Sequence, residues 1–219
     1  MKIKAVIFDI DNTLWDTKKF AAMARREALR AMMKAGLKKY AGAARAETEL
    51  EKIISRRGAN YHHHFDELCR RVAGRVEPKI VASGVAAYHK EKWKMGPFAE
   101  ARGVLRALRR RGVRVFAATE GIVMKQWDKL VRLGLADEFE DVFVSEGVGV
   151  DKVRGMFAHI LRRKGLEAGE VVVVGDAYDR DVAPARKIGM AALLVRRTGR
   201  KTKNVISNLR EVLRYVGRN

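Results

Sequence analysis

The chain alternates between short, nearly uninterrupted apolar runs and longer stretches whose apolar residues recur at helical spacing. The runs fall at residues 4–10, 113–118, 142–144, 171–174 and 191–195, most of them rich in Val or Phe. Runs that are apolar throughout, rather than at every second position, predict strands buried on both faces of a parallel sheet. Between them, periodic stretches at 99–111, 124–133, 154–164 and 181–188 each stop at a glycine: Gly112, Gly134, Gly165 and Gly189. Glycine just past the last periodic residue marks a helix C-terminus. The repeated alternation predicts an α/β fold, a Rossmann-like parallel sheet covered by helices.

One long segment breaks the rhythm. From about residue 20 to 95 the pattern is helical, with candidate helices at 22–35, 44–57, 62–72 and 79–93 and no convincing strand. We therefore expect a helical domain, residues 16–95, inserted into a core domain of residues 1–15 and 96–219. A last helix is expected at 205–216, packed on the core. Within the insert, Tyr61-His62-His63-His64 stands out. Three consecutive histidines on a helix point in three directions and cannot share one metal ion, so a surface or packing role is expected. Trp15 and Trp93 are expected to pack at the hinge between domains, and Trp127 on a core helix.

Composition changes this picture in one respect. Of 219 residues, 46 are Lys or Arg and 26 Asp or Glu, a formal charge of +20. Such a field attracts anions, whether phosphorylated metabolites or nucleic acid. The excess is spread as short groups, such as Arg109-Arg110-Arg111 and Arg196-Arg197, which reads as solvated helix faces. Without a nucleic-acid motif, only weak, nonspecific, salt-sensitive nucleic-acid binding is expected. No segment approaches the roughly 20 apolar residues that span a bilayer, so no membrane role is expected. The one cysteine, Cys69, can form no internal disulfide, which fits a reducing compartment and a cytoplasmic location.

Four polar pieces then stand at the C-terminal ends of separate predicted strands. They are Phe8-Asp9-Ile10-Asp11-Asn12-Thr13-Leu14, Ala118-Thr119-Glu120-Gly121, Lys152, and Gly175-Asp176 with Asp181. The carboxyl ends of strands are where open α/β sheets hold their sites. Together and in this order, the four pieces resemble the signature motifs of the haloacid dehalogenase superfamily, and the resemblance covers nearly the whole chain outside the insert. The insert itself resembles the helical (C1-like) cap of one branch of that superfamily.

The resemblance implies a phosphatase-type hydrolase. Asp9 would be the nucleophile, forming an aspartyl-phosphate, and Asp11 the general acid and base; relatives that cleave carbon–halogen bonds typically lack that second aspartate. A carboxylate can attack a phosphate only where charge is offset, so a hard cation is expected. Mg²⁺ would be held by Asp9, Asp176, the backbone carbonyl of Asp11, and Asp181 either directly or through water. Asp179 lies in the same loop as a lesser candidate. Lys152 would neutralise charge between nucleophile and substrate. The Thr119 hydroxyl and backbone N–H groups of the turn through Glu120 and Gly121 would cradle the phosphoryl oxygens. Relatives commonly carry a small or amide residue where Glu120 stands, so Glu120 bears on substrate choice. The expected substrate is a small phosphorylated metabolite. A sugar-phosphate mutase on the same fold, and a nucleic-acid-associated phosphatase or binding protein, are the alternatives.

Overall fold

The computed structural model describes residues 2–58, 61–199 and 202–217. Its apolar runs form strands β1 (Ala5–Phe8), β2 (Arg114–Thr119), β3 (Asp141–Val144), β4 (Val171–Gly175), β5 (Ala191–Val195) and a two-residue β6 (Val205–Ile206). All pair in parallel in the order β3-β2-β1-β4-β5-β6. Every residue of β1 and β4 is buried, which is why these strands carry no polar alternation. The chain runs from β1 to one side of the sheet and later crosses to the other, so the strand order reverses beside β1. A crevice opens at such a switch point, outside the carboxyl ends of the strands. Register aligns those ends: Phe8 lies beside Ala117 on one side and Val174 on the other.

Two compact units result. One comprises the residues up to Thr17 with those from Gly96 onward, the other Lys18–Met95. The first carries the sheet with helices α5 (Ala101–Arg110), α6 (Val123–Arg132), α7 (Ser145–Val148), α8 (Phe157–Lys164), α9 (Ala183–Lys187) and α10 (Arg210–Val216), preceded in the chain by α1 (Thr17–Ala35), α2 (Ala43–Arg57), α3 (His64–Ala73) and α4 (Pro78–Glu91), which build the second. Helix α5 shows how the sequence is used. Ala101, Val104, Leu105 and Leu108 are buried, while Arg106 and Arg109 on the other face reach the Glu138 carboxylate. Helix α8 ends at Gly165, whose left-handed φ of 61° a side chain would disfavour.

The helical unit has its own core, including Leu29, Met32, Leu37, Leu50, Ile53, Leu68 and Ile80. Gly84 lets α4 approach α1 closely, since a Cβ there would collide with Met32. The carboxylate of Glu67 is buried but gathered by Arg56, Arg57 and Arg71, which offsets the cost of removing it from water. No described helix is long and apolar enough to cross a membrane.

Four expectations need correction. Residues 205–216 are not one helix: Val205 and Ile206 add an edge strand on Leu194 and Val195, and α10 begins only at Arg210. The Glu211 carboxylate accepts the Ser207 and Asn208 N–H groups, a capping arrangement that fixes the later start. The histidines do not share a helix, because α3 begins at His64 and His62 and His63 lie in the preceding turn. Trp93 is not buried, being 80% exposed. Trp127 is also more exposed than a core residue, at 37%.

Candidate active site

Strand β1 delivers Asp9 at its carboxyl end, where the backbone turns away from the sheet. The turn passes through Asn12 at φ 60°, a left-handed conformation that asparagine tolerates better than most side chains. It brings Thr13 back beneath Asp9, and the Thr13 hydroxyl donates to Asp9 Oδ2 at 3.1 Å. Lys152 is not at the end of β3 but lies beyond α7, in a distorted helical turn. Its Nζ donates to Asp9 Oδ1 at 2.5 Å and to Asp181 Oδ1 at 2.6 Å, with all three residues buried. Asp181 is fixed from its other oxygen by the Ala177 N–H at 3.0 Å. The glycine of Gly175-Asp176 is required by this packing, since a Cβ at Gly175 would overlap the Asp181 carboxylate.

Asp9, Asp176 and Asp181 each offer a carboxylate oxygen within 4.8 Å of the others. Two of these three carboxylates share the Lys152 ammonium, so negative charge is in excess within the group. Burial pushes the Asp9 carboxyl up to about 7, against the pull of Lys152 and helped by Asp181 and Asp11. Burial acts against the Lys152 ammonium, but Asp9 and Asp181 outweigh it and hold its pKa above the ordinary value. A hard divalent cation fits this donor set: oxygen ligands, surplus negative charge, and one partly exposed member, Asp176. Asp179 is exposed in the same loop and stands outside that group.

A stability prediction follows for protein kept free of metal. The folded pKa of Asp9, about 7, exceeds its ordinary 3.8, so the folded state holds the extra proton between those values. The contribution is complete below about pH 4 and lost as pH rises through about 7. Denaturant titrations in chelator should show wild type losing stability relative to Asp9→Asn across that interval. A constant difference would mean that Asp9 keeps an ordinary pKa.

Asp11 is held differently. Its Oδ1 accepts from the Thr17 hydroxyl at 2.8 Å and from Trp15 Nε1 at 3.0 Å, and Lys129 Nζ reaches Oδ1 and Oδ2 at 2.7 and 2.6 Å. Burial alone would raise this carboxyl, but Lys129 with the Thr17 and Trp15 donors holds it below the usual carboxylate range. Asp11 therefore stands as an anion, the form that takes a proton, rather than the protonated carboxyl expected for leaving-group protonation. Lys129 belongs to none of the four motif pieces. Its only signal was its place on the helix that follows the Thr119 loop.

Thr119 ends β2 buried, and its hydroxyl donates to Gln126 Oε1 at 3.3 Å. The Gly121 N–H donates to Ser145 Oγ at 2.9 Å, so it is engaged within the protein rather than offered to a ligand. Glu120 pairs with Arg180 at 3.5 Å, which balances its charge.

A family model described as haloacid dehalogenase-like hydrolase matches residues 3–189. The chain is 41% identical to a glyceraldehyde 3-phosphate phosphatase of Methanopyrus kandleri, over 89% of this chain and 84% of that protein. It is 39% identical to a protein of the same name from Methanocaldococcus jannaschii, over 88% and 85%. Among solved structures, a HAD phosphatase from Thermococcus onnurineus superposes with a TM-score of 0.71 at 24% identity, covering 98% of both chains. That last likeness speaks to fold alone.

Proposed function

The chain belongs to the haloacid dehalogenase-like hydrolases and is a phosphatase of that family, and from this premise we propose that it cleaves glyceraldehyde 3-phosphate through a phosphorylated Asp9. The observation that carries the mechanism is the buried Asp9–Lys152–Asp181 array, which aims a carboxylate while an ammonium offsets its charge. The substrate is supported by the names of the two archaeal relatives.

In the first step an Asp9 oxygen attacks phosphorus, the bond from phosphorus to the ester oxygen breaks, and the leaving alkoxide takes a proton from Asp11. In the second, water attacks the phosphorus of phospho-Asp9 while Asp11 accepts its proton, releasing phosphate and restoring Asp9. Asp11 must therefore gain a proton before the first step, since the structure holds it as an anion. Lys152 keeps Asp9 oriented throughout, and Thr119 at the end of β2 is placed to hold a phosphoryl oxygen once its hydroxyl turns from Gln126. Asp9, Asp176 and Asp181, with the Asp11 carbonyl, would hold a Mg²⁺ ion, which when bound supplies positive charge against the phosphate.

The helical unit is the module to which we assign substrate choice. The buried, unpaired Cys69 suits a cytoplasmic enzyme, and the net charge would give weak, salt-sensitive contact with polyanions as a by-product. The test is a panel of glyceraldehyde 3-phosphate, ribulose 1,5-bisphosphate, phosphoglycolate, phosphoserine, nucleotides and p-nitrophenyl phosphate, assayed with Mg²⁺ for phosphate release. We expect the highest kcat/KM on glyceraldehyde 3-phosphate. A higher value on any other panel member would overturn the substrate while leaving the reaction in place.

A further inference from the structure

Helix α6 leaves the Thr119 loop and at once presents Gln126 and Lys129, which are three residues apart and so share one face. An ammonium has three N–H donors, and Lys129 has three acceptors at bonding distance: Asp11 Oδ1, Asp11 Oδ2 and Gln126 Oε1 at 2.7, 2.6 and 2.9 Å. The Lys129 side chain is only 15% exposed, and its charge also lies 5.9 Å from the Trp15 ring centroid. Gln126 is buried and fixed in turn. Its amide nitrogen donates to the Glu120 carbonyl at 3.0 Å, and its oxygen accepts from Thr119 as well as from Lys129.

A continuous polar chain thus runs from Asp11 through Lys129 and Gln126 to Thr119. The donors on Asp11 are unequal. Thr17 and Trp15 both bond Oδ1, whereas Oδ2 is held, among the described residues, by Lys129. Without Lys129 the carboxylate would keep one anchored oxygen and could swing the other.

We infer that Lys129 is a positioning residue for the hydrolysis: it fixes the second oxygen of Asp11 and ties it, through Gln126, to the loop carrying Thr119. This rests on the reading of Asp11 as the proton-transferring group. It assigns Lys129 no contact with the substrate, so its removal should act on the chemical step, through Asp11, and leave substrate binding alone.

The test is a double-mutant cycle of Lys129→Met and Asp11→Asn, with an alkyl phosphate and p-nitrophenyl phosphate as substrates and melting curves for every variant. Asp11→Asn should slow the alkyl substrate by about 10²–10⁴-fold, the usual worth of general acid–base help. Lys129→Met should lower kcat on it by about 10²-fold, the low end of that range, with KM unchanged and a smaller loss on the aryl substrate, whose leaving group hardly needs a proton. Lys129→Arg should recover part of the loss. In the Asp11→Asn background, Lys129→Met should add nothing. Losses that multiply, a rise in KM, or equal losses on both substrates would overturn the inference. Should Lys129→Met fail to fold, Lys129→Gln takes its place in the cycle. If wild type hydrolyses neither substrate with Mg²⁺, the phosphatase reading itself fails; if it hydrolyses both and the cycle is multiplicative, only the role of Lys129 does.

Discussion

Asp9→Asn should leave a folded protein that neither turns over nor traps phosphate. The side chain sits in a buried position where Thr13 donates to one oxygen and Lys152 to the other. An amide keeps an acceptor for one of these donors and the size of the original, so the fold should persist. What it loses is the anion proposed to attack phosphorus. Removing a nucleophile of this kind typically lowers kcat by about 10⁵–10⁶-fold, leaving only the rate due to binding and electrostatics. Steady-state phosphate release and acid-quench trapping of labelled enzyme would measure both effects. A labelled adduct in Asp9→Asn would move the nucleophile to another residue, and the buried Asp181 would be the next to test.

Excess EDTA should likewise reduce turnover to background, and Mg²⁺ should restore it. The reason is electrostatic. Asp9, Asp176 and Asp181 lie together, two of them on the Lys152 ammonium, and a phosphate ester would bring further negative charge to the same point. Lys152 is already shared between two carboxylates, which leaves little of its positive charge for the substrate. A bound divalent ion would also draw the Asp9 pKa down from about 7, keeping the nucleophile ionised at neutral pH. Asp176→Ala should abolish activity with the fold intact, because Asp176 is only partly buried. Undiminished turnover in EDTA would remove the metal from the mechanism.

The α/β class could be read from the chain because β1, β2, β4 and β5 are apolar on both faces and each helix between them has its own stop. Asp9, Thr119 and Gly175 stood out for a related reason: each ends or follows a run whose burial leaves no other use for a polar or glycine position. Other parts left weaker traces. Strand β6 has two residues and pairs along one edge, too short to interrupt the helical pattern that continues into α10. Lys129 is chemically one of 46 basic residues, and nothing local separates it from the solvated ones. The fold of the turn after β1, which carries Asp11 toward α6, gives it its carboxylate partner. Trp93 misled for the opposite reason, since a large apolar side chain beside a domain boundary reads as packing even where it stands exposed.

Within the sheet-bearing unit, the Phe98 N–H donates to the Leu14 carbonyl at 2.8 Å, and the Arg197 guanidinium lies over the Phe98 ring while donating to Thr13 O and Glu100 Oε1. The places where the chain departs toward α1 and returns before α5 are therefore stitched together by the catalytic unit alone. An excursion whose two ends already meet adds little closure entropy whatever its length. An excursion anchored in this way can change in length or sequence without moving Asp9, so the substrate choice proposed for the helical unit is separable from the chemistry proposed for Asp9.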